Sequence, residues 1–238
     1  MTWIGDAIAS LLVQTHHDWT LVVVDDGSID GTARAVAGVA DPRVRLIRQA
    51  NTGVSVARNR GVEELVGGIP ALVFLDADDW LAPDALARLV ASLVSSPDAI
   101  GAVGPYTFGD TGSTRRPPSG DLLQRLLVRN LFANGGHLLL RTEAVRAAGG
   151  FLPGIAYGED WELWIRIALQ GPFASVPGNA PVLFIRRRTA GAYLRLATNP
   201  DSFTPCMDAI FGIPRCSRSS VRLASPQSAS APKQRMPG

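Results

Sequence analysis

The sequence predicts an α/β fold, a mostly parallel β-sheet with helices on both faces. Three observations carry this expectation. Short apolar runs rich in β-branched residues alternate with stretches of helical periodicity, the βαβα order of a parallel sheet. Two of those runs, Thr20–Val24 and Ala71–Leu75, end abruptly in carboxylates, and open α/β sheets bind ligands outside the carboxyl ends of their strands. Finally, 238 residues with 46% hydrophobic and 18% charged side chains suit one sizeable domain with its own core.

In chain order, residues 4–14 read as an amphipathic helix with Ile4, Ile8, Leu11 and Leu12 on one face. His16 and His17 are adjacent in a polar break, the wrong spacing for shared metal ligation. Thr20–Val24 is a buried strand released into Asp25-Asp26-Gly27-Ser28; Asp30 is placed to cap the next helix. Residues 44–47 form a third strand, and Ser55 is expected to cap a helix bearing Arg58, Asn59 and Arg60. Arginines near a helix start suit an anionic phosphate, although a solvated helix face explains them equally.

The run Ala71–Trp80 is a buried strand ending in Asp76, Asp78 and Asp79. Clustered oxygens at that place suit a hard divalent cation carrying phosphates; the bland alternative is an acidic solvated turn. Pro83 opens a helix with Leu86, Leu89, Val90, Leu93 and Val94 inward, and Ala99–Val103 is a strand. Residues 107–120 read as a loop, 122–127 as a helix and 137–141 as a strand. Thr142 is expected to cap a short helix ended by Gly149-Gly150. Glu159 and Asp160 sit at the start of a strong helix with Trp161, Trp164, Ile165 and Leu169 inward. Capping and dipole complementarity account for one of those acids more naturally than for two. Residues 182–185 are the last strand. Residues 1–195 are expected to form the domain, and 196–238 a poorly patterned, disordered tail.

Charge narrows the chemistry. The net charge is +2, yet the last 22 residues carry Arg218, Arg222, Lys233 and Arg235 and no acid, so the remainder is at −2. A nucleic-acid partner is therefore not expected. Lys233 is the only lysine, which excludes a phosphate-loop lysine and a Schiff-base lysine in the folded region. Cys206 and Cys216 suggest neither a disulfide framework nor a zinc site. No apolar run reaches the length of a membrane span and no signal peptide opens the sequence, so the expected location is cytoplasmic, with peripheral membrane contact left open.

Val22-Val23-Val24-Asp25-Asp26-Gly27-Ser28-x-Asp30-Gly31-Thr32 resembles the first acidic motif of family 2 glycosyltransferases. Asn51-x-Gly53, Ala57-Arg58-Asn59-x-Gly61, Phe74-Leu75-Asp76-Ala77-Asp78-Asp79, Gly149-Gly150-Phe151 and Glu159-Asp160-Trp161-Glu162-Leu163-Trp164-x-Arg166 follow in that family's order. Each motif alone is modest; their order is specific. The resemblance implies a GT-A fold, a Rossmann-like sheet that binds a nucleotide-sugar. It places Asp25, Asp26, Gly27, Ser28 and Asn51 at the nucleotide base and Arg58 near base and diphosphate. Asp76 and Ala77 fall at the ribose, Asp76, Asp78 and Asp79 at a Mg²⁺ or Mn²⁺ ion, and Asp160, beside Glu159, becomes the general base.

The implied reaction is inverting, metal-dependent transfer from a UDP-sugar to the hydroxyl of a glycan, lipid-linked or small-molecule acceptor, in polysaccharide, glycolipid or cell-surface glycan assembly. A leaving nucleoside diphosphate needs its charge stabilised, and one carboxylate on the opposite face suffices to take the acceptor proton. The motif Gln-x-x-Arg-Trp of processive synthases is absent, which favours single-sugar transfer. Family members also carry an apolar strand ahead of the first helix, and the resemblance implies that this strand is missing here. The competing functions are a non-catalytic sugar-nucleotide-binding remnant and a phosphatase using Asp76 as nucleophile, for which Lys233 is a poor supporting cation.

Overall fold

The computed structural model describes residues 3–65, 68–109, 112–187 and 199–213. Its elements run α1 (Trp3–Leu12), β1 (Leu21–Asp26), α2 (Thr32–Ala37), β2 (Val44–Gln49), α3 (Val54–Glu63), β3 (Ala71–Leu72), β4 (Trp80–Leu81), α4 (Ala85–Val94), β5 (Gly101–Val103) and β6 (Tyr106–Phe108). Then come α5 (Leu123–Leu126), a 3₁₀ turn at Gly135–His137, β7 (Leu138–Arg141), α6 (Thr142–Ala147), α7 (Glu159–Ala168), β8 (Phe173–Ser175), β9 (Leu183–Ile185), a 3₁₀ turn at Pro200–Phe203 and α8 (Thr204–Gly212).

The fold is α/β with sheets flanked by helices, as expected. The strands fall into three groups, β1-β2, β3-β7-β5-β8 and β4-β9-β6. The pairs β1–β2, β5–β8 and β6–β9 are parallel, whereas β3–β7, β5–β7 and β4–β9 are antiparallel. The largest core cluster joins Leu72, Leu138 and Leu140 to Leu163, Trp164 and Ile167 of α7 and to Cys206 and Ile210 of α8. A second lies on the opposite face, where Leu86, Leu89 and Leu93 of α4 meet Leu139, Val182 and Leu183. The third is small: Ile4, Ile8 and Val36 packed against β1 and β2.

Several local expectations are corrected. The run Ala71–Trp80 is paired only at Ala71–Leu72 and Trp80–Leu81; residues 73–79 form no strand. Ser55 lies inside α3, its hydroxyl buried without a partner, and Gly53 takes the cap position. Thr142 likewise has a buried, unpartnered hydroxyl instead of a cap bond. Val94 is 75% exposed, because it faces a cavity rather than packed side chains. Thr107 and Phe108 belong to β6. The domain does not end at residue 195: α8 packs on α7, and Cys206 and Ile210 are buried. The remainder of the expected tail, 214–238, lies outside the described residues.

Why the 71–79 run stays short is visible beside it. Each of β1 and β3 ends its sheet, so each has one edge with no strand neighbour among the described residues. Both edges line the same cavity of about 710 Å³, together with Ile4, Ala7, Ile8 and Leu11 of α1 and Val90 and Val94 of α4. Leu21–Val24 are consequently only half-buried despite their apolar sequence. The open end of this slot reaches Arg58, Asp76 and Ala77.

Candidate active site

The carboxyl end of β1 supplies Asp25 and Asp26, and the loop after β2 closes over them. Asp25 is buried; its Oδ1 accepts from Ser28 N at 2.8 Å and its Oδ2 from Arg48 Nε at 3.2 Å. Asp26 Oδ1 accepts from Gln49 Nε2 (2.8 Å) and Thr52 N (2.9 Å), and Oδ2 from Gly53 N (2.8 Å). The bond from Ser28 leads in holding Asp25 below the usual carboxylate range, against the opposing pull of burial. For Asp26, burial pushes upward, but the bonds from Gln49, Thr52 and Gly53 together outweigh it and the pKa is lowered. Gly27 brings Asn51 alongside: at φ +81° it lies so close that a Cβ would sit 2.9 Å from Asn51 N. The structure thus gathers Asp25, Asp26, Gly27, Ser28 and Asn51 into one corner.

The second corner is the turn that follows β3. Arg58, on α3, lies between two acids: Nη2 donates to Asp76 Oδ1 and Nη1 to Glu159 Oε1, both at 2.9 Å. Its guanidinium also stands 5.1 Å from the Phe151 ring centroid. Burial works against the Arg58 charge, and the neighbouring carboxylates of Asp76 and Glu159 more than offset this, so its pKa is raised. The next residue, Asn59, bonds both Phe151 O and Phe151 N at 2.8 Å, pinning the loop that leads to α7. One turn of α3 therefore ties Asp76, in the turn after β3, to Glu159 at the start of α7, far apart in sequence.

Asp160 opens α7, its Oδ1 accepting from Trp161 N at 2.6 Å. Desolvation first, then the charge of Glu159, push its pKa up to about 7 against the opposing pull of Arg58. A carboxyl at that value holds a proton below neutrality and can take one above it. Behind it the helix is firmly anchored. Glu162 is fully buried and paired with Arg166, whose guanidinium also donates to Ala148 O, and Trp161 Nε1 donates to Leu126 O at 2.7 Å. Trp164 is fully buried, so the tryptophan stripe is core.

Asp79 does not join a metal cluster with Asp76 and Asp78. It is buried, its Oδ1 accepts from Arg186 N at 2.9 Å and its Oδ2 from Asn134 Nδ2 at 2.6 Å. Burial, reinforced by the charges of Asp76 and Asp78, raises its pKa to about 7. Among the described residues no group of three or more His, Cys, Asp or Glu could hold a metal ion. Two carboxylates in one turn, Asp76 and Asp78, nevertheless fit a Mg²⁺ or Mn²⁺ that arrives on a diphosphate and keeps several of its own waters, because such an ion needs one or two protein carboxylates.

Arg186 braces the turn from behind. Its Nε donates to Asp78 O (2.9 Å), its Nη2 to Asp6 (2.6 Å), and it stands over Trp80. Arg186 was visible in sequence only as part of an arginine run after the last strand; Asn134 gave no signal beyond standing before two glycines. His137 is a core histidine: it is fully buried, Nε2 accepts from Ala133 N, Nδ1 faces Gly104 O, and burial lowers its pKa to about 3. Cys206 faces Gly158 O, and burial pushes its thiol up to about 12, leaving it inert. No helix among the described residues is long and apolar enough to cross a membrane.

Comparison with known proteins bears on the family and the fold. The glycosyl transferase family 2 model matches residues 2–149. The uncharacterized glycosyltransferase YibD of Escherichia coli is 37% identical over 108 residues, 44% of this chain and 31% of YibD. The fold resembles that of TarS 1–349 from S. aureus in complex with UDP-GlcNAc, with a TM-score of 0.69 and 15% identity over 88% of this chain and 63% of that one. It also resembles the mannosyltransferase PcManGT of Pyrobaculum calidifontis in complex with GDP-Man and Mn²⁺, with a TM-score of 0.57 and 20% identity over 87% of this chain and 64% of that one. The chain thus spans about a third of YibD and just under two thirds of the two structures.

Proposed function

The protein belongs to glycosyl transferase family 2, and we propose from that premise that it transfers a sugar, with inversion, from a nucleotide-sugar to an acceptor hydroxyl of a growing glycan. The observation that carries the reading is the Arg58 bridge, which joins Asp76 to Glu159 at the start of α7 in one site. Asp25 and Asp26 with their closing loop form the nucleotide-base end, and Arg58 is the cation for the diphosphate. Asp76 and Asp78 are the carboxylates that would hold a divalent ion, whose chemistry is to stabilise the charge of the leaving diphosphate. UDP is the donor nucleotide we propose, in line with the UDP-GlcNAc bound by TarS; the Mn²⁺ of PcManGT is in line with metal use.

Asp160 takes the proton of the acceptor hydroxyl, and with a pKa near 7 it is ionised at and above neutral pH. An Asp76 nucleophile of the phosphatase kind is disfavoured, since that chemistry calls for a lysine in the site and Lys233 is the only lysine of the sequence. The test is a panel of nucleotide-sugars offered with Mn²⁺ to the wild-type protein and to Asp160→Asn. The wild type is expected to release nucleoside diphosphate from one donor. The variant is expected to bind that diphosphate unchanged and to turn over at least a hundredfold more slowly; loss of binding and turnover together would refute the base assignment.

The slot belongs to the same proposal. The helix α1 begins at the site end, where Asp6 meets Arg186, and runs back towards the start of β1. A strand parallel to β1, lying between it and Ala71–Leu75, would fit the slot that both edges line. It would also pair the two open edges and cover Leu21–Val24. A six-residue Val/Ile peptide, the length of β1, is expected to raise the melting temperature by filling the slot, since each well-buried apolar side chain stabilises by about 1.5–3 kcal/mol. An unchanged melting temperature would count against this filling of the slot.

A further inference from the structure

We infer that Asn134 is a positioning residue for the donor site, fixing the Asp76 carboxylate in the orientation that receives a metal-bound nucleoside diphosphate. The inference rests on the proposed function and concerns a residue that no motif singled out.

The backbone around Asn134 has almost no room to move. At Gly135 a Cβ would sit 2.7 Å from Phe74 Cβ and 2.9 Å from Phe74 O, and at Gly136 one would sit 2.8 Å from Leu183 Cδ1. This segment is therefore pressed against the run that delivers Asp76, and only glycine permits the approach. Asn134 itself is 9% exposed. Its Oδ1 accepts from Gly136 N at 2.9 Å, which decides the orientation of the amide. The opposite orientation would turn Oδ1 towards two carboxylates and leave Gly136 N facing an NH₂ group.

With the amide so fixed, its two hydrogens serve two acids. Nδ2 donates to Asp79 Oδ2 at 2.6 Å and to Asp76 Oδ2 at 3.2 Å. Asp76 Oδ1 is held by Arg58. Each oxygen of Asp76 thus has one rigid donor and keeps a lone pair for a ligand. The carboxylate plane is set before anything binds, which is what makes preorganised groups effective. Asp79 anchors the amide in turn, since its other oxygen is fixed by Arg186 N. A buried acid that does not face the ligand thereby acquires a purpose: it is the post on which Asn134 is mounted.

Asn134→Asp tests this with little change of shape. The substituted side chain keeps an acceptor for Gly136 N and loses the donors to Asp76 and Asp79. Asn134→Ala removes the donors without adding charge, so one variant is informative if the other folds poorly. The measurement is the dissociation constant of UDP and of GDP with and without Mn²⁺, by calorimetry, for the wild type and both variants. Mn²⁺ is expected to tighten nucleotide binding by the wild type, and that gain is expected to shrink at least tenfold in the variants while metal-free affinity changes less than twofold. A merely structural Asn134 would lower both affinities together and overturn the inference. An undiminished Mn²⁺ gain in a folded variant would overturn it as well. A wild type that binds neither nucleotide would remove the functional reading on which it rests.

Discussion

Asp25-Asp26 and Asp78-Asp79 are both adjacent acids at the end of an apolar run, yet the first pair is held ionised while the second contains a carboxyl raised to about 7. The difference lies in what surrounds them. The Asp25-Asp26 corner is a loop wrapped around its acids: Ser28, Thr52 and Gly53 turn backbone N–H groups onto them, and Arg48 and Gln49 add side chains. At the other corner Asp79 is buried beside like charges, and Asp160 stands next to Glu159. Backbone donors stabilise a carboxylate in place; burial among acids makes it ready to hold or accept a proton. The same letters therefore build one corner of firmly ionised carboxylates and another whose carboxyls are raised towards neutrality.

The sharpest way to break this contrast is at Asp160. Its folded pKa of about 7 lies above the ordinary 3.8, so between those values the folded protein binds more protons than the unfolded chain. The Asp160 contribution to stability is fully present below pH 3.8 and is lost as pH rises through about 7. Turnover should rise across the same window as the base ionises. Asp160→Asn should abolish turnover, by about 10²- to 10⁴-fold, and should gain stability relative to wild type as the pH is raised from 4 to 8, measured by parallel thermal melts.

Arg58→Gln is expected to come next. It leaves Asp76 and Glu159 without their shared cation; breaking a well-buried pair costs about 3–5 kcal/mol, and with the Arg58 side chain 18% and Asp76 34% exposed we expect roughly half that after screening. Denaturant titration checks the stability, and diphosphate affinity should fall with it.

Asp26→Asn should have the smallest effect. It forfeits part of the loop closure, about 1–2 kcal/mol. Because the Asp26 pKa is lowered, that stabilisation is present above the unfolded value and disappears as pH falls through the folded one. Melts at pH 7 and pH 3 should show a smaller deficit at the lower pH; an equal deficit at both would mean that the carboxylate charge is not what holds the loop.

The alternation of apolar runs and helical periodicity was enough to place α4 and α7, which each bury one stripe, and β1 and β2, whose β-branched runs pair with each other. It failed where tertiary contacts override local pattern. The run 71–79 has the composition of a full strand, but strand status needs partners on its edges, and one edge of it faces the slot. Ser55 and Thr142 are ordinary capping residues by type, yet Gly53 and Arg141 take the cap positions. Residues 199–213 look unpatterned because the stripe of α8 is short: Cys206, Met207 and Ile210, with Ile213 just after, pack against the core over little more than two turns. In the site, the acids and Arg58 were legible because charged clusters at strand ends are uncommon. Asn134 and Arg186 were not, since their importance comes from what lies opposite them in space. Asp79 was legible as an acid but not as a buried one.

The central claim is that Asp160 is the base of a site whose donor end is independent of it. Nucleoside diphosphate affinity and turnover, measured on the same preparations of wild type and Asp160→Asn with Mn²⁺ from pH 5 to pH 9, test it most directly. Equal affinities are expected, with wild-type turnover climbing through about pH 7 and no such climb in the variant. A variant that keeps the wild-type pH profile would contradict it.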